Sequence, residues 1–256
     1  MSDPIKHELY KQAWHGDKPY DDKELVRLEL ACHSVREHAA ELGLDRPYEL
    51  LDLGCGVGPL RPWLGPEEFR ITGLELSAEA AEAARANYDA CEVCDVESPW
   101  PIGPASLDGV HAGAILEHVI DWNAPLNHAN RCLRDAGLLV AAVPNLRHWK
   151  EIRKLIVGKQ PHWIRSMAHL HAYTPRFLRE LVTMHGFEVT RMEADMVKLP
   201  LLSDRWRWVR RVFAGIGSVL ILTARLGRRV RVEDAAKAWQ FPDHKRLGKR
   251  FIEVPS

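Results

Sequence analysis

Ten residues, Glu49–Gly58, constrain this chain more than any others: E-L-L-D-L-G-C-G-V-G. Tyr48–Leu53 is a mainly apolar run of strand length that carries Asp52 near its end, and Gly54, Gly56 and Gly58 follow at alternate positions. That spacing marks a tight loop whose backbone approaches a ligand with no Cβ atoms in the way. Helical patterning comes next, so the segment reads as strand, glycine loop and helix, the opening of a nucleotide-binding α/β domain.

The surroundings of the loop narrow the ligand. Dinucleotide folds space their glycines G-x-G-x-x-G and face a pyrophosphate with backbone amides and a helix N-terminus. Here the third glycine falls one position early, and a carboxylate stands in the strand just before the loop. That carboxylate repels a pyrophosphate and suits a ligand that carries positive charge, so an NAD-dependent oxidoreductase fits badly. S-adenosylmethionine carries a sulfonium and an ammonium and no phosphate. The run D-L-G-C-G-V-G resembles motif I of the class I S-adenosylmethionine-dependent methyltransferases. The segment L-E-H-V at Leu116–Val119 and the run T-P-R-F-L-R-E-L-V-T-M-H-G-F-E-V beginning at Thr174 are similar to small-molecule members of that family, including the ubiquinone-pathway O-methyltransferases. The resemblance covers Tyr48–Ala194.

It implies a Rossmann-like, doubly wound α/β sheet of seven strands with an antiparallel last strand, built as a three-layer sandwich. It also implies a cofactor, S-adenosylmethionine, and a site. Asp52, Gly54, Cys55, Gly56 and Gly58 would hold the amino-acid end. Glu75, at the carboxyl end of a second strand (Phe69–Leu76), would accept the ribose hydroxyls, with Leu76 beside it. Asp95 and Val96, closing a third strand (Cys91–Val96), would take the adenine, and Ala112 and Gly113 would line the cofactor's path after a fourth strand (Ser106–Ala112). His118 would stand near the transferred methyl, where a neutral imidazole can take the proton of an acceptor hydroxyl near pH 7. O-methylation is thus expected ahead of N- or C-methylation. Glu117-His118 alone is a weak metal pair, and no metal is expected. Cys91-x-x-Cys94 supplies only half a structural zinc site.

The flanking segments are read in the same way. Residues 1–47 form an arm and a helix, with Tyr10, Trp14 and Tyr20 as lid candidates and Asp21 or Asp22 as the cap of a helix that Gly43 stops. Pro59–Leu64 is expected to form a short helix. Within the core, 48–195, residues 146–173 exceed what a minimal fold needs and are rich in His and aromatic residues. They form an expected acceptor roof, with His148, Trp149, Trp163, His169 and Tyr173 as substrate-binding candidates. The tail, 196–256, holds 14 Lys/Arg against 5 Asp/Glu although the whole chain is neutral. Within it Ser218–Ala224 is expected to be the seventh strand; the other reading is one basic, apolar helix, Trp206–Leu226, lying on an anionic membrane surface.

Composition restricts the function classes. Balanced charge and the absence of an aromatic–basic motif argue against nucleic acid as partner and for a small-molecule acceptor. Five cysteines without framework spacing, and no apolar signal core, suit the cytoplasm. Beside a catalysing methyltransferase stand two other readings: a methyltransferase-like cofactor-binding partner without turnover, and a membrane-surface methyltransferase acting on a lipid or quinone. Oligomeric state is not written in the sequence.

Overall fold

A computed structural model of the chain describes residues 21–161, 169–197 and 207–230. Its elements are α1 (Asp22–Leu42), β1 (Tyr48–Leu53), β2 (Phe69–Glu75), α2 (Ala78–Arg85), β3 (Ala90–Val93), β4 (Leu107–Gly113), α3 (Asn123–Cys132), β5 (Leu133–Pro144), α4 (Trp149–Ile156), α5 (Pro175–Met184), β6 (Phe187–Ala194), α6 (Arg207–Val212) and β7 (Val219–Leu226). The strands form one seven-stranded sheet in the order β3-β2-β1-β4-β5-β7-β6, with β7 antiparallel to both neighbours. The chain order reverses between β1 and β4, so ligands are expected outside the carboxyl ends of these strands.

Local chemistry explains the elements. Asp21 opens α1 with a capping box: its carboxylate accepts the Lys23 and Glu24 amides, and the Glu24 side chain accepts the Asp21 amide. Gly43, left-handed at φ 54°, closes the helix. Thr174 caps α5 ahead of Pro175 at its first turn. Along the central strands the two-residue period separates two cores. Leu51, Leu53, Leu74, Val110, Leu139 and Ala141 pack with α3 and α5, whereas Leu50, Ile71, Leu138, Val140 and Ala142 pack with α1 and α2. At the amino edge of the sheet the buried Asp108 is clamped by Arg46 (2.6 and 2.7 Å), Arg134 (2.7 Å) and the Glu49 amide (2.9 Å).

One expectation changes and one alternative is decided. Pro59–Leu64 is a set of tight turns, with the Trp63 and Leu64 amides bonding back three residues, because two prolines in six residues remove the donors a helix requires. Strand β5 begins at Leu133 and passes through Ala136 at φ 58°. The expected seventh strand is present as β7, Val219–Leu226, inserted between β5 and β6 and almost wholly buried, and the alternative of a single helix from Trp206 to Leu226 falls away. The lid candidates Tyr10, Trp14 and Tyr20, the roof candidate Trp163 and the last 26 residues lie outside the described residues.

Candidate active site

The glycine loop turns back at the carboxyl edge of the sheet. Gly54, Gly56 and Gly58 all lie at positive φ (61°, 54° and 78°), a region that side chains with a Cβ adopt at a cost. A Cβ on Gly58 would also stand 3.2 Å from the Tyr88 ring. That ring is structural: Tyr88 Oη accepts the Leu60 amide (3.1 Å) and donates to Asp52 Oδ2 (2.7 Å). Asp52 Oδ1 in turn accepts from His111 Nδ1 at 2.7 Å. The His111 ring lies under Gly113, where a Cβ would come within 2.5 Å of its Cε1. Tyr88, Asp52 and His111 thus tie the loop region to β1 and β4 through one buried carboxylate.

Glu75 closes the loop from the other side. Its Oε2 accepts the Gly56 amide and its Oε1 the Ser77 amide, both at 2.9 Å. Burial raises its pKa above the ordinary carboxylate value, and the nearby Asp52 charge adds to this, while the amides oppose it.

A cleft of about 170 Å³ opens beside the loop, walled by Glu24, Arg27 and Leu28 of α1, by Asp52, Gly54, Cys55, Gly56 and Pro59, and by His111, Gly113, Ala114 and Ala142. The structure therefore brings Asp52, Gly54, Cys55, Gly56 and Gly113 together. Gly58, Glu75, Leu76, Asp95, Val96 and Ala112 are not on that wall. Of these, Leu76, Val96 and Ala112 are buried, and Asp95 is partly exposed, with its Oδ1 accepting the Glu97 amide. The donor set fits S-adenosylmethionine: a loop without Cβ atoms, buried carboxylates for a cationic ligand, and Arg27 on the wall for a carboxylate. Arg27 already donates from Nε to Asp195 at 3.2 Å. Sequence reasoning missed Arg27, Glu24 and His111. His111 had a legible signal, a titratable residue inside the apolar strand β4; Arg27 had none that separates it from an ordinary helix surface.

The second half of the site lies on the turn after β4. His118 is half-buried, and its ring meets that of His169 edge to face with centroids 4.9 Å apart. Glu117 is buried beneath them; its Oε1 lies 4.0 Å from His118 Nε2, and its Oε2 has no hydrogen-bond partner among the described residues. Burial pushes the Glu117 carboxyl up to about 8, opposed by its own backbone amide and by the Arg27 charge. One ligand atom from each of Glu117, His118 and His169 falls within 4.8 Å of the others, close enough for these three to hold a divalent cation.

The roof is anchored to the same turn. Leu170 and His171 amides bond to the Glu117 carbonyl (2.7 and 3.3 Å), and Tyr173 Oη donates to the Leu116 carbonyl (2.8 Å). Tyr173 is wholly buried and stacks on Phe177, so its hydroxyl is spent on the fold. His148 precedes α4 at its N-terminus, and Trp149 is partly exposed under Lys150 and Arg153.

A model of the methyltransferase-domain family matches residues 25–192. The chain belongs to this family and is a class I S-adenosylmethionine-dependent methyltransferase. It is 28% identical to a ubiquinone biosynthesis O-methyltransferase of Rhodopseudomonas palustris over 187 residues, covering 69% of this chain and 72% of that protein. It is 30% identical over 187 residues to the protein of the same name from Paramagnetospirillum magneticum, covering 67% and 74%. The fold matches that of Burkholderia thailandensis 1,6-didemethyltoxoflavin-N1-methyltransferase, solved with 1,6-didemethyltoxoflavin and S-adenosylhomocysteine, with a TM-score of 0.58 at 19% identity over 89% of this chain and 92% of that one.

Proposed function

We propose that the enzyme methylates a hydroxyl group of a small-molecule acceptor, with His118 as the general base. The observation that carries this reading is the surroundings of His118: a partly exposed imidazole on the turn after β4 whose ring packs against His169 of the 146–173 segment. The O-methyltransferase relatives support the choice of oxygen. In this reading Asp52 and Glu24 attract the ammonium of the cofactor, and Arg27 takes its carboxylate with the donors not used on Asp195. The glycine backbone lets the methionine portion lie against the loop, Glu75 engages the ribose with its remaining lone pairs, and Asp95 and Val96 receive the adenine.

When bound, the cofactor would supply an electrophilic methyl on a sulfonium, whose S–C bond breaks to leave a neutral thioether. The chain's residues hold the acceptor oxygen in line with it and take its proton onto His118 as the new O–C bond forms. Positioning of this kind is worth several kcal/mol of barrier, and the base adds about a hundredfold or more for a weakly acidic hydroxyl. Calorimetric titration with S-adenosylhomocysteine, followed by methyl-transfer assays on a panel of phenols, alcohols and amines, tests the reading. Turnover of phenols or alcohols supports it; turnover confined to amines removes it, and tight cofactor binding without any turnover favours a partner subunit. A membrane-dissolved acceptor is the second reading, and α4 is the observation that favours it.

A further inference from the structure

Helix α4 carries its apolar residues on one side and buries none of them among the described residues. Trp149, Ile152, Leu155 and Ile156 fall at helical spacing on one face, followed by Val157, and these five side chains are between 38% and 79% exposed. No residue of α4 is buried. In a surface helix of a globular domain such a face normally turns to the core. Here it turns to solvent, at the edge of the sheet that carries the site: His148, which precedes the helix, feels the Lys23 charge from the start of α1.

The charge around this face is selective. Residues 147–159 contain Arg147, Lys150, Arg153, Lys154 and Lys159 against Glu151 alone, in a stretch of chain, residues 1–195, whose 30 Asp/Glu outnumber its 21 Lys/Arg. Lys154 bonds to Glu151 at 2.9 Å, whereas Lys150 and Arg153 make no ion pair among the described residues and lie over the Trp149 ring at 5.8 and 5.7 Å. Four of the six described arginines of the basic tail are used differently. Arg207 and Arg211 bind Glu193, Arg225 binds Glu41 and Arg229 binds Asp135. Their charge is spent within the fold.

We propose that α4 is a membrane-docking helix: it lies flat on an anionic lipid surface, with Trp149, Ile152, Leu155 and Ile156 in the acyl boundary and Lys150, Arg153 and Lys159 among the headgroups. An amphipathic helix with cations beside an aromatic–aliphatic face has the chemistry that such a surface selects. Each cation near the surface adds about fivefold to the partition. Docking would hold the roof and the cofactor edge at the bilayer, so that an acceptor dissolved in the membrane reaches the site. The docking itself does not depend on which atom is methylated.

The test is co-sedimentation of the full chain with vesicles of phosphatidylcholine alone or mixed with phosphatidylglycerol. Binding to the mixed vesicles only, reversed at about 0.5 M salt, is expected. Ile152→Glu with Ile156→Glu should weaken it about tenfold or more, and Lys150→Glu with Arg153→Glu to a similar degree. All four side chains are on the surface, so S-adenosylhomocysteine affinity should be unchanged and reports intact folding. Failure to bind the mixed vesicles overturns the proposal. Full binding by the apolar-face variant also overturns it and moves the contact to the tail. A dimer in light scattering that the same variant dissolves overturns it in favour of a second copy of the chain.

Discussion

The two edges of the sheet handle buried carboxylates in opposite ways. At the amino edge Asp108 meets two guanidinium groups and a backbone amide, and its charge is answered in place. The carboxyl edge concentrates three buried carboxyl groups, Asp52, Glu75 and Glu117, and no Arg or Lys bonds to any of them among the described residues. Asp52 holds a phenol and an imidazole, Glu75 two amides, and Glu117 has one oxygen unbonded. Buried acid without a matching cation is costly in a fold, so a domain keeps it where a ligand supplies the charge. In the proposed reading a sulfonium cofactor does so next to Asp52 and Glu75. The amino edge is built for stability and the carboxyl edge for binding.

The sharpest way to break this contrast is to remove Asp52. Asp52→Ala leaves Tyr88 and His111 without their common acceptor and takes charge from the cleft. S-adenosylhomocysteine binding should fall about a hundredfold by calorimetry, the ~2–3 kcal/mol of unpaired buried partners and a lost charged contact. Unchanged affinity would remove the carboxylate from the binding argument. His118→Ala should spare that affinity and lower kcat for a hydroxyl acceptor about a hundredfold. If kcat holds, His118 is a packing partner of His169 and the proposed base is wrong.

How legible these edges are from sequence differs as well. The glycine loop is explicit because three alternate positive-φ positions strongly favour glycine, and Asp52 precedes them at a fixed distance. The strands β6 and β7 follow from their apolar patterning and from the family resemblance. What sequence hides is pairing at a distance. Asp52 and His111 are 59 positions apart, and nothing local shows that they touch. Tyr173 reads as a roof aromatic, yet its hydroxyl is committed to the Leu116 carbonyl. The 146–173 segment reads as an acceptor roof, and that the apolar face of α4 is left exposed among the described residues is a tertiary fact.

The edges should also titrate in opposite directions. Burial alone would raise the Asp108 pKa, but the Arg46 fork, the Glu49 amide and Arg134 outweigh it and hold it below the ordinary value. Its stabilisation is therefore present above the unfolded pKa and is lost as pH falls through the folded one. Asp108→Asn should cost about 2 kcal/mol near neutrality in urea melts, with the difference from wild type shrinking in acid. Glu117 is the reverse case: burial lifts it to about 8 in the fold, so the folded state retains a proton that the unfolded chain releases. Stability falls as pH rises from the unfolded pKa toward 8, by at most about 1.4 kcal/mol per pH unit. Glu117→Gln should flatten that slope and be the more stable protein at about pH 7.5 by ~2 kcal/mol. Equal slopes in both proteins would mean that Glu117 is ionised in the fold, and addition of a divalent cation or of EDTA then shows whether a metal at Glu117, His118 and His169 keeps it so.

The finest test asks why residue 113 is glycine, since two explanations coincide there. Gly113 is on the cofactor cleft, so a Cβ could meet the ligand, and it roofs the His111 ring, so a Cβ would meet Cε1 at 2.5 Å and Nε2 at 2.8 Å. Backbone on both sides is fixed by the β4–β5 ladder, leaving the ring as the part that gives way. Its displacement would stretch the 2.7 Å bond to Asp52. Gly113→Ala should then weaken cofactor binding about tenfold, a ~1.4 kcal/mol effect. If the ring is the reason, His111→Ala removes the clash, and the double variant binds no worse than His111→Ala alone. Contacting residues give coupling of about 0.5–3 kcal/mol in such a cycle, against about 0.3–0.5 kcal/mol or less for independent sites. Additive losses would show that Gly113 serves the ligand directly and that the His111–Asp52 pair tolerates the movement; strong coupling would make the pair itself the element that sets the cofactor edge.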